Sequence, residues 1–237
     1  MGTKWAEIVS NYAMLLIDDI RLQDEAAENP AAFLRKMSIY VSYAIPLLCE
    51  PPELLPYLEE GLVEPVYDDY GWTSTQESTE QETVVHTGLT GFGLFSCVIR
   101  TVDAAQNVSY TPYAAAAYDP ETGDVTFPVQ SAEGIDYSLD FYTDGSFAQE
   151  LSRSIKNLLG LAVAVGWDER FNNTWLNIQS KIRDKSFETI NESNYIRATS
   201  ERHSEKYAEF CAARNKYAQD CAYMQVAPRS ARQTRFV

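Results

Sequence analysis

Apolar side chains recur at helical spacing at both ends of the chain and at strand spacing in the middle. From Thr3, a suitable N-cap, the residues Trp5, Ile8, Val9, Tyr12, Leu15, Leu16 and Ile20 form a wide stripe that predicts one helix running to about Leu22. Asn29 followed by Pro30 is a start signal for a second helix, with Phe33, Met37, Tyr40, Val41, Ala44 and Leu48 on one face and Pro46 bending or ending its last turn. Pro51, Pro52 and Pro56 leave room for no more than a short helical turn over residues 53–60. The character of the chain changes near Pro65, where we place a domain boundary.

Four segments of the middle are short, rich in β-branched and aromatic residues, and separated by turn chemistry: residues 94–102, 114–118, 125–129 and 135–142. Ile135, Tyr137, Leu139 and Phe141 alternate with Asp136, Ser138, Asp140 and Tyr142, which predicts a strand with one buried face in an antiparallel sheet. Asp119-Pro-Glu-Thr-Gly-Asp124 reads as the turn between two such strands. The Thr/Glu/Gln run from Thr73 to Thr83 has little to bury and is expected to be a mobile loop.

Helical spacing returns after Gly145. Phe147, Leu151, Ile155, Leu158, Leu159, Ala162 and Val165 make an apolar face expected to end at Gly166, and Asp168 is placed to cap a further helix carrying Phe171, Trp175, Ile178 and Ile182, the two packing as a hairpin. A long polar helix with a thin apolar stripe is predicted from about Asn191 to Tyr223. The expected fold class is therefore α+β. Residues 1–65 and 144–225 form a helical bundle, residues 66–143 are inserted as an antiparallel β-sandwich or barrel, and residues 226–237 form an extended basic arm.

Charge divides the chain in the same way. Residues 1–145 hold 24 acidic and 5 basic side chains, whereas residues 146–237 hold 10 acidic and 14 basic, within a total of −15. Arg100 is the one base in residues 71–145, so this region repels nucleic-acid phosphates. Cys49, Cys97, Cys211 and Cys221 stand far apart, form no zinc-ligand spacing and are expected to be reduced thiols. The opening MGTKWAEIV has no apolar core of the signal-peptide kind and no stretch is apolar enough to span a membrane, so synthesis and assembly in a cytoplasm are expected.

Candidate chemistry is sparse. His86 and His203 belong to no motif with a nucleophile or a metal-ligand spacing. The glycines at 88, 91 and 93 precede a strand instead of opening a helix, so they read as a turn and not as a phosphate loop. Asp119, Glu121 and Asp124 fit a turn better than a calcium loop. Neighbouring acids (Asp18-Asp19, Glu59-Glu60, Asp68-Asp69) point apart on a helix or strand and make poor catalytic pairs. No catalytic residue, cofactor or metal site is expected. The tail carries Arg229, Arg232 and Arg235 at every third position, no acid, and Phe236 near its end, a pattern suited to docking along an acidic groove of a partner.

This layout of paired N-terminal helices, β-rich insertion, returning helices and C-terminal arm resembles the head-to-tail adaptor proteins of tailed bacteriophages, short-tailed ones above all. The phrases FLRKMSIYVSYAIPLLCEPPELL and KYAEFCAARNKYAQDCAY are similar to virion structural proteins of phages from Gram-positive hosts. The resemblance implies a virion neck protein: a ring of twelve copies under the portal, the C-terminal arm reaching the portal, tail or nozzle proteins below, and DNA passing through without specific binding. It supplies no catalytic residues and implies no membrane. A different class stays open, a tail or baseplate binding module whose β domain recognises a receptor or carbohydrate through Tyr67, Tyr70, Trp72, Tyr110, Tyr113 and Tyr118.

Overall fold

The computed structural model describes residues 2–17, 19–74, 83–128, 133–182 and 189–226, with the side chains at 171–199 and 224–226 outside that description. The expected loop over residues 73–83 falls largely outside it too. The chain is mixed α/β, with antiparallel sheets and a C-terminal helix.

The N-terminal stripe does not make one helix. α1 (Trp5–Ile8) passes into a π-helical turn (Val9–Ala13), the chain breaks, and α2 (Ile20–Glu28) starts afresh with Asp19 accepting from the Arg21 backbone N–H at 3.1 Å. An acidic side chain that satisfies a free helical N–H favours a new start over continuation. Thr3 is not the cap either: Lys4 holds that position, and the buried Thr3 hydroxyl accepts from the Leu151 N–H at 2.8 Å.

α3 (Pro30–Leu47) begins as its sequence signals. Asn29 caps it through the Ala32 N–H at 3.0 Å, Pro30 opens it, and Pro46 lies in its final turn. α4 (Leu54–Glu59) is the short turn among the prolines.

Seven strands follow: β1 (Val66–Thr73), β2 (Thr83–His86), β3 (Leu94–Val102), β4 (Val108–Pro112), β5 (Ala117–Asp119), β6 (Asp124–Phe127) and β7 (Asp136–Thr143). They pair in two sheets, β1-β7-β3-β4 and β2-β6-β5, every pairing antiparallel. Both sheets are open among the described residues, which removes the barrel alternative. One apolar cluster joins them, with Val85, Val125 and Phe127 from one sheet and Cys97, Tyr137, Leu139 and Phe141 from the other.

β7 departs from the expected single buried face. Tyr137, Leu139 and Phe141 are buried as its alternation predicts, but so are Asp140 and Tyr142 on the opposite side. The cause is α3, which packs against β7 and β3 from outside the sheet.

α5 (Arg153–Ile182) and α6 (Thr189–Val226) complete the chain. α5 runs unbroken through Gly166, so the expected hairpin of two shorter helices is absent. Gly166 serves packing: a Cβ there would lie 2.8 Å from the Tyr43 ring. Gly160 is tighter, with a Cβ 2.7 Å from Tyr12 Cβ and 3.0 Å from Tyr12 backbone. A second apolar cluster joins Trp5, Ile8, Met37, Val41 and Leu58 to Phe147, Leu158, Leu159, Val163 and Phe210, drawing on both ends of the chain.

These two glycines give opposed expectations. Alanine gains up to about 1 kcal/mol of helix propensity over glycine, and at Gly166 the half-exposed Tyr43 ring can turn aside. At Gly160 the obstacle is backbone, so Gly160→Ala should cost about 1–3 kcal/mol net, while Gly166→Ala should be close to neutral. Urea midpoints of the two variants check this; equal midpoints would contradict the packing argument.

Candidate functional site

The predicted partner-binding residues Arg229, Arg232, Arg235 and Phe236 lie outside the described residues. What is described is the helix that leads to them. α6 lays Phe210 into the helical cluster, with Cys211, Ala213 and Tyr217 packed beside it. Two cations fasten it further. Lys206 Nζ donates to the Leu16 carbonyl at 2.9 Å and pairs with Asp168 at 2.8 Å. The Arg214 guanidinium donates to the Leu47 carbonyl at 3.1 Å and lies 3.6 Å from Glu50. Leu47 is the last residue of α3, where unpaired carbonyls and the helix dipole favour a cation. The thin stripe on α6 therefore understates its attachment, because long basic side chains do part of the fastening. Beyond Tyr217 the helix loosens its hold, and Tyr223 is 74% exposed.

The other sequence candidates are dispersed. His86 sits opposite Asp124 in the β2–β6 pairing, with its Nδ1 2.7 Å from the carboxylate on an exposed surface. This is an exposed cross-strand pair at the end of the β2–β6 ladder. His203 lies on α6, its Nδ1 buried and without a partner among the described residues. The glycine-rich loop is a turn, Gly88 and Gly91 both having positive φ, and it packs on the β5–β6 turn through the Gly91 N–H, which donates to the Pro120 carbonyl at 2.8 Å, while the Tyr118 hydroxyl of β5 donates to the Leu89 carbonyl. The Asp119–Asp124 segment is the β5–β6 turn, with Asp119 accepting from the Glu121 N–H. Asp19 caps α2, whereas Asp18 is outside the described residues. No group of three or more potential metal ligands occurs among the described residues.

The aromatic candidates divide. Trp72 lies against Phe127 and Tyr137, Tyr113 against the same pair, Tyr118 against Phe95 and Phe141, and Tyr70 packs on the same apolar cluster. These four fill the space between the sheets. Tyr67 lies under the Arg35 guanidinium at 4.5 Å, and Tyr110 is exposed on β4.

Sequence reasoning missed two carboxylates at the junction of sheet and helices. Asp140 accepts from Asn29 Nδ2 at 2.6 Å beside the start of α3, where Ser96 Oγ accepts from the Ala31 N–H at 2.8 Å. Asp144 accepts from the Ala6 N–H at the start of α1 at 3.1 Å. Burial raises both carboxyls above the ordinary 3.8, against the opposing hydrogen bonds from Asn29 and Ala6. Neighbouring Cys97 is pushed up to about 12 by burial and by Asp140, which makes its thiol inert. Read along β7 alone, Asp140 belongs to the polar face; only the docking of α3 buries it.

An open hollow of about 420 Å³ lies between the π-helical turn, α5 and α6, lined by Tyr12, Leu15, Arg153, Asn157 and Glu209 among others. Its charges are single and of both signs, with no convergent set of donors. No helix among the described residues is long and apolar enough to cross a membrane. No protein-family model matches the chain, and neither does any curated protein or any solved structure.

Proposed function

We propose that this chain is a virion structural protein, a head-to-tail adaptor whose copies form a ring in the neck, joining the portal to the tail or nozzle proteins and lining part of the DNA channel. In this reading residues 1–65 and 144–225 make a helical bundle, residues 66–143 an inserted β-sandwich, and residues 226–237 the arm that reaches the portal. The protein acts by assembly and uses no cofactor.

The division of charge carries the proposal. Residues 1–145 have a net charge of −19 and offer passing phosphates few cations, while the last eleven residues carry three arginines and no acid. α6 fits the role of carrier, because Phe210, Lys206 and Arg214 hold its middle while its end leads outward to the arm. The reading as a receptor- or carbohydrate-binding module has less support, since four of its six aromatic candidates are occupied between the sheets.

The test is capture of the portal by the full chain and by a chain lacking residues 227–237, at low and high salt. Three arginine contacts at about 1 kcal/mol each, if partly desolvated, amount to tens to hundreds of fold in affinity. The full chain should retain the portal at low salt, lose much of it at high salt, and exceed the truncated chain throughout. Equal retention by both at every salt concentration would end the proposal for the arm.

A further inference from the structure

The four-stranded sheet has two outer edges, and they differ in chemistry. β4 exposes all five of its residues, including Val108 and Tyr110, the latter 53% exposed. It has no charged side chain; Pro112, at its end, is its one residue of the kind that discourages edge pairing. Between residues 94 and 118 the only charges are Arg100 and Asp103, so this segment is neutral in a chain of −15. β1, the other edge, exposes Val66 at 57%, Tyr67, and the acids Asp68 and Asp69.

The β3–β4 hairpin also projects. β7 pairs with β3 only as far as Arg100 opposite Asp136, whereas the β3–β4 ladder continues to Val102 opposite Val108. Its tip is preorganised: Asp103 accepts from the backbone N–H groups of Ala105 and Asn107 at 2.8 Å and from the Asn107 side chain at 2.9 Å. A stiff tip loses little conformational freedom on binding.

We infer that the outer edge of β4 docks on the β1 edge of a second copy of this chain, giving a head-to-tail contact that extends one antiparallel sheet from subunit to subunit. The inference rests on the ring reading above and supplies its contact. Three observations single out this occupant. Strand directions alternate across the sheet, so β1 and β4 run oppositely, and two copies side by side in the same orientation bring β4 antiparallel to β1. Charge favours the match in part: Arg100, the only Lys or Arg between Lys36 and Arg153, stands on β3 of the hairpin, 3.8 Å from Asp136 and still half-exposed, while on β1 Asp69 pairs with Arg35 at 3.2 Å and the neighbouring Asp68 is exposed. Copies that repel one another through their net charge can approach at a neutral edge with exposed apolar side chains. A contact between unlike edges closes into rings or propagates, as the proposed assembly needs.

Two edge variants of the full chain test it by light scattering: Val108→Glu/Tyr110→Glu on β4 and Val66→Glu/Tyr67→Glu on β1. All four side chains are exposed, so each variant should keep the wild-type melting profile, and circular dichroism verifies this. Wild type should have the mass of an oligomer and each variant alone that of a monomer. An equimolar mixture should give a species of two chains, because each variant retains the edge the other lacks. A monomeric wild type, or variants that both keep the wild-type mass, would overturn the contact. So would a β1 variant that stays paired while the β4 variant does not, since β4 would then be pairing with itself. Oligomers that fail to capture the portal would leave this contact standing and count against the arm alone.

Discussion

Phe210→Ala should lower stability by about 3–4 kcal/mol, because truncating a buried phenylalanine removes its burial energy and leaves a cavity that neighbours only partly fill. Phe210 is 0% exposed and, among the described side chains of α6, is the one that enters the fully buried part of the helical cluster. The urea midpoint should fall with little change in slope. If the proposed adaptor reading holds, the same variant should also weaken portal capture more than its loss of folded protein explains, because α6 then relies on Lys206 and Arg214 for its placement. Tyr223→Ala, at a position 74% exposed, should stay within about 0.5 kcal/mol of wild type. If the two variants proved equally stable, α6 would not be fastened through its middle.

The elements easiest to read were those whose periodicity is set by burial on one face. Leu94–Val102 is a strand over the predicted range because its β-branched and aromatic residues face the space between the sheets along half its length. Asn29-Pro30 marks the start of α3 because the cap is local chemistry. β1 and β4 escaped notice for the opposite reason. As edge strands they expose most of their residues, so Val66-Tyr-Asp-Asp-Tyr-Gly and Val108-Ser-Tyr-Thr-Pro112 show no one-sided pattern. Gly166 looked like a helix stop because the sequence does not reveal the tyrosine ring that needs its space.

The candidate site was legible only in its charge. Basic spacing in the tail and the acidic excess of residues 1–145 are properties of sequence alone. The fastening of α6 through Lys206 and Arg214 depends on where the first helices end, and the Leu16 carbonyl is available only because the predicted first helix breaks there. The polar junction between α3 and the sheet was likewise hidden, since Asn29 meets Asp140 across 111 residues of sequence and Ala31 meets Ser96 across 65.

That junction gives the second large effect. Asp140→Ala leaves Asn29 Nδ2 without its acceptor beside a buried helix start, at a cost of about 2 kcal/mol. Asp140→Asn keeps an oxygen for the same hydrogen bond and removes the buried charge, so at neutral pH it should be at least as stable as wild type. The pH dependence follows from the raised carboxyl. Burial, its largest cause, lifts Asp140 above the ordinary 3.8, so in the window just above that value the folded chain holds its proton more firmly than the unfolded chain. Stability contributed by this group is present below 3.8, falls as pH rises through the folded value, and stays lower above it. Asp144 acts with the same sign. In Asp140→Asn the Asp140 share of that fall should vanish, leaving a shallower decline between acid and neutral pH than in wild type. Urea midpoints at half-unit pH steps from 4 to 7 would show it. Parallel curves for wild type and Asp140→Asn would mean that folding does not raise the Asp140 carboxyl, and an asparagine variant as unstable as the alanine one would mean that Asp140 holds α3 through its charge and not through the hydrogen bond.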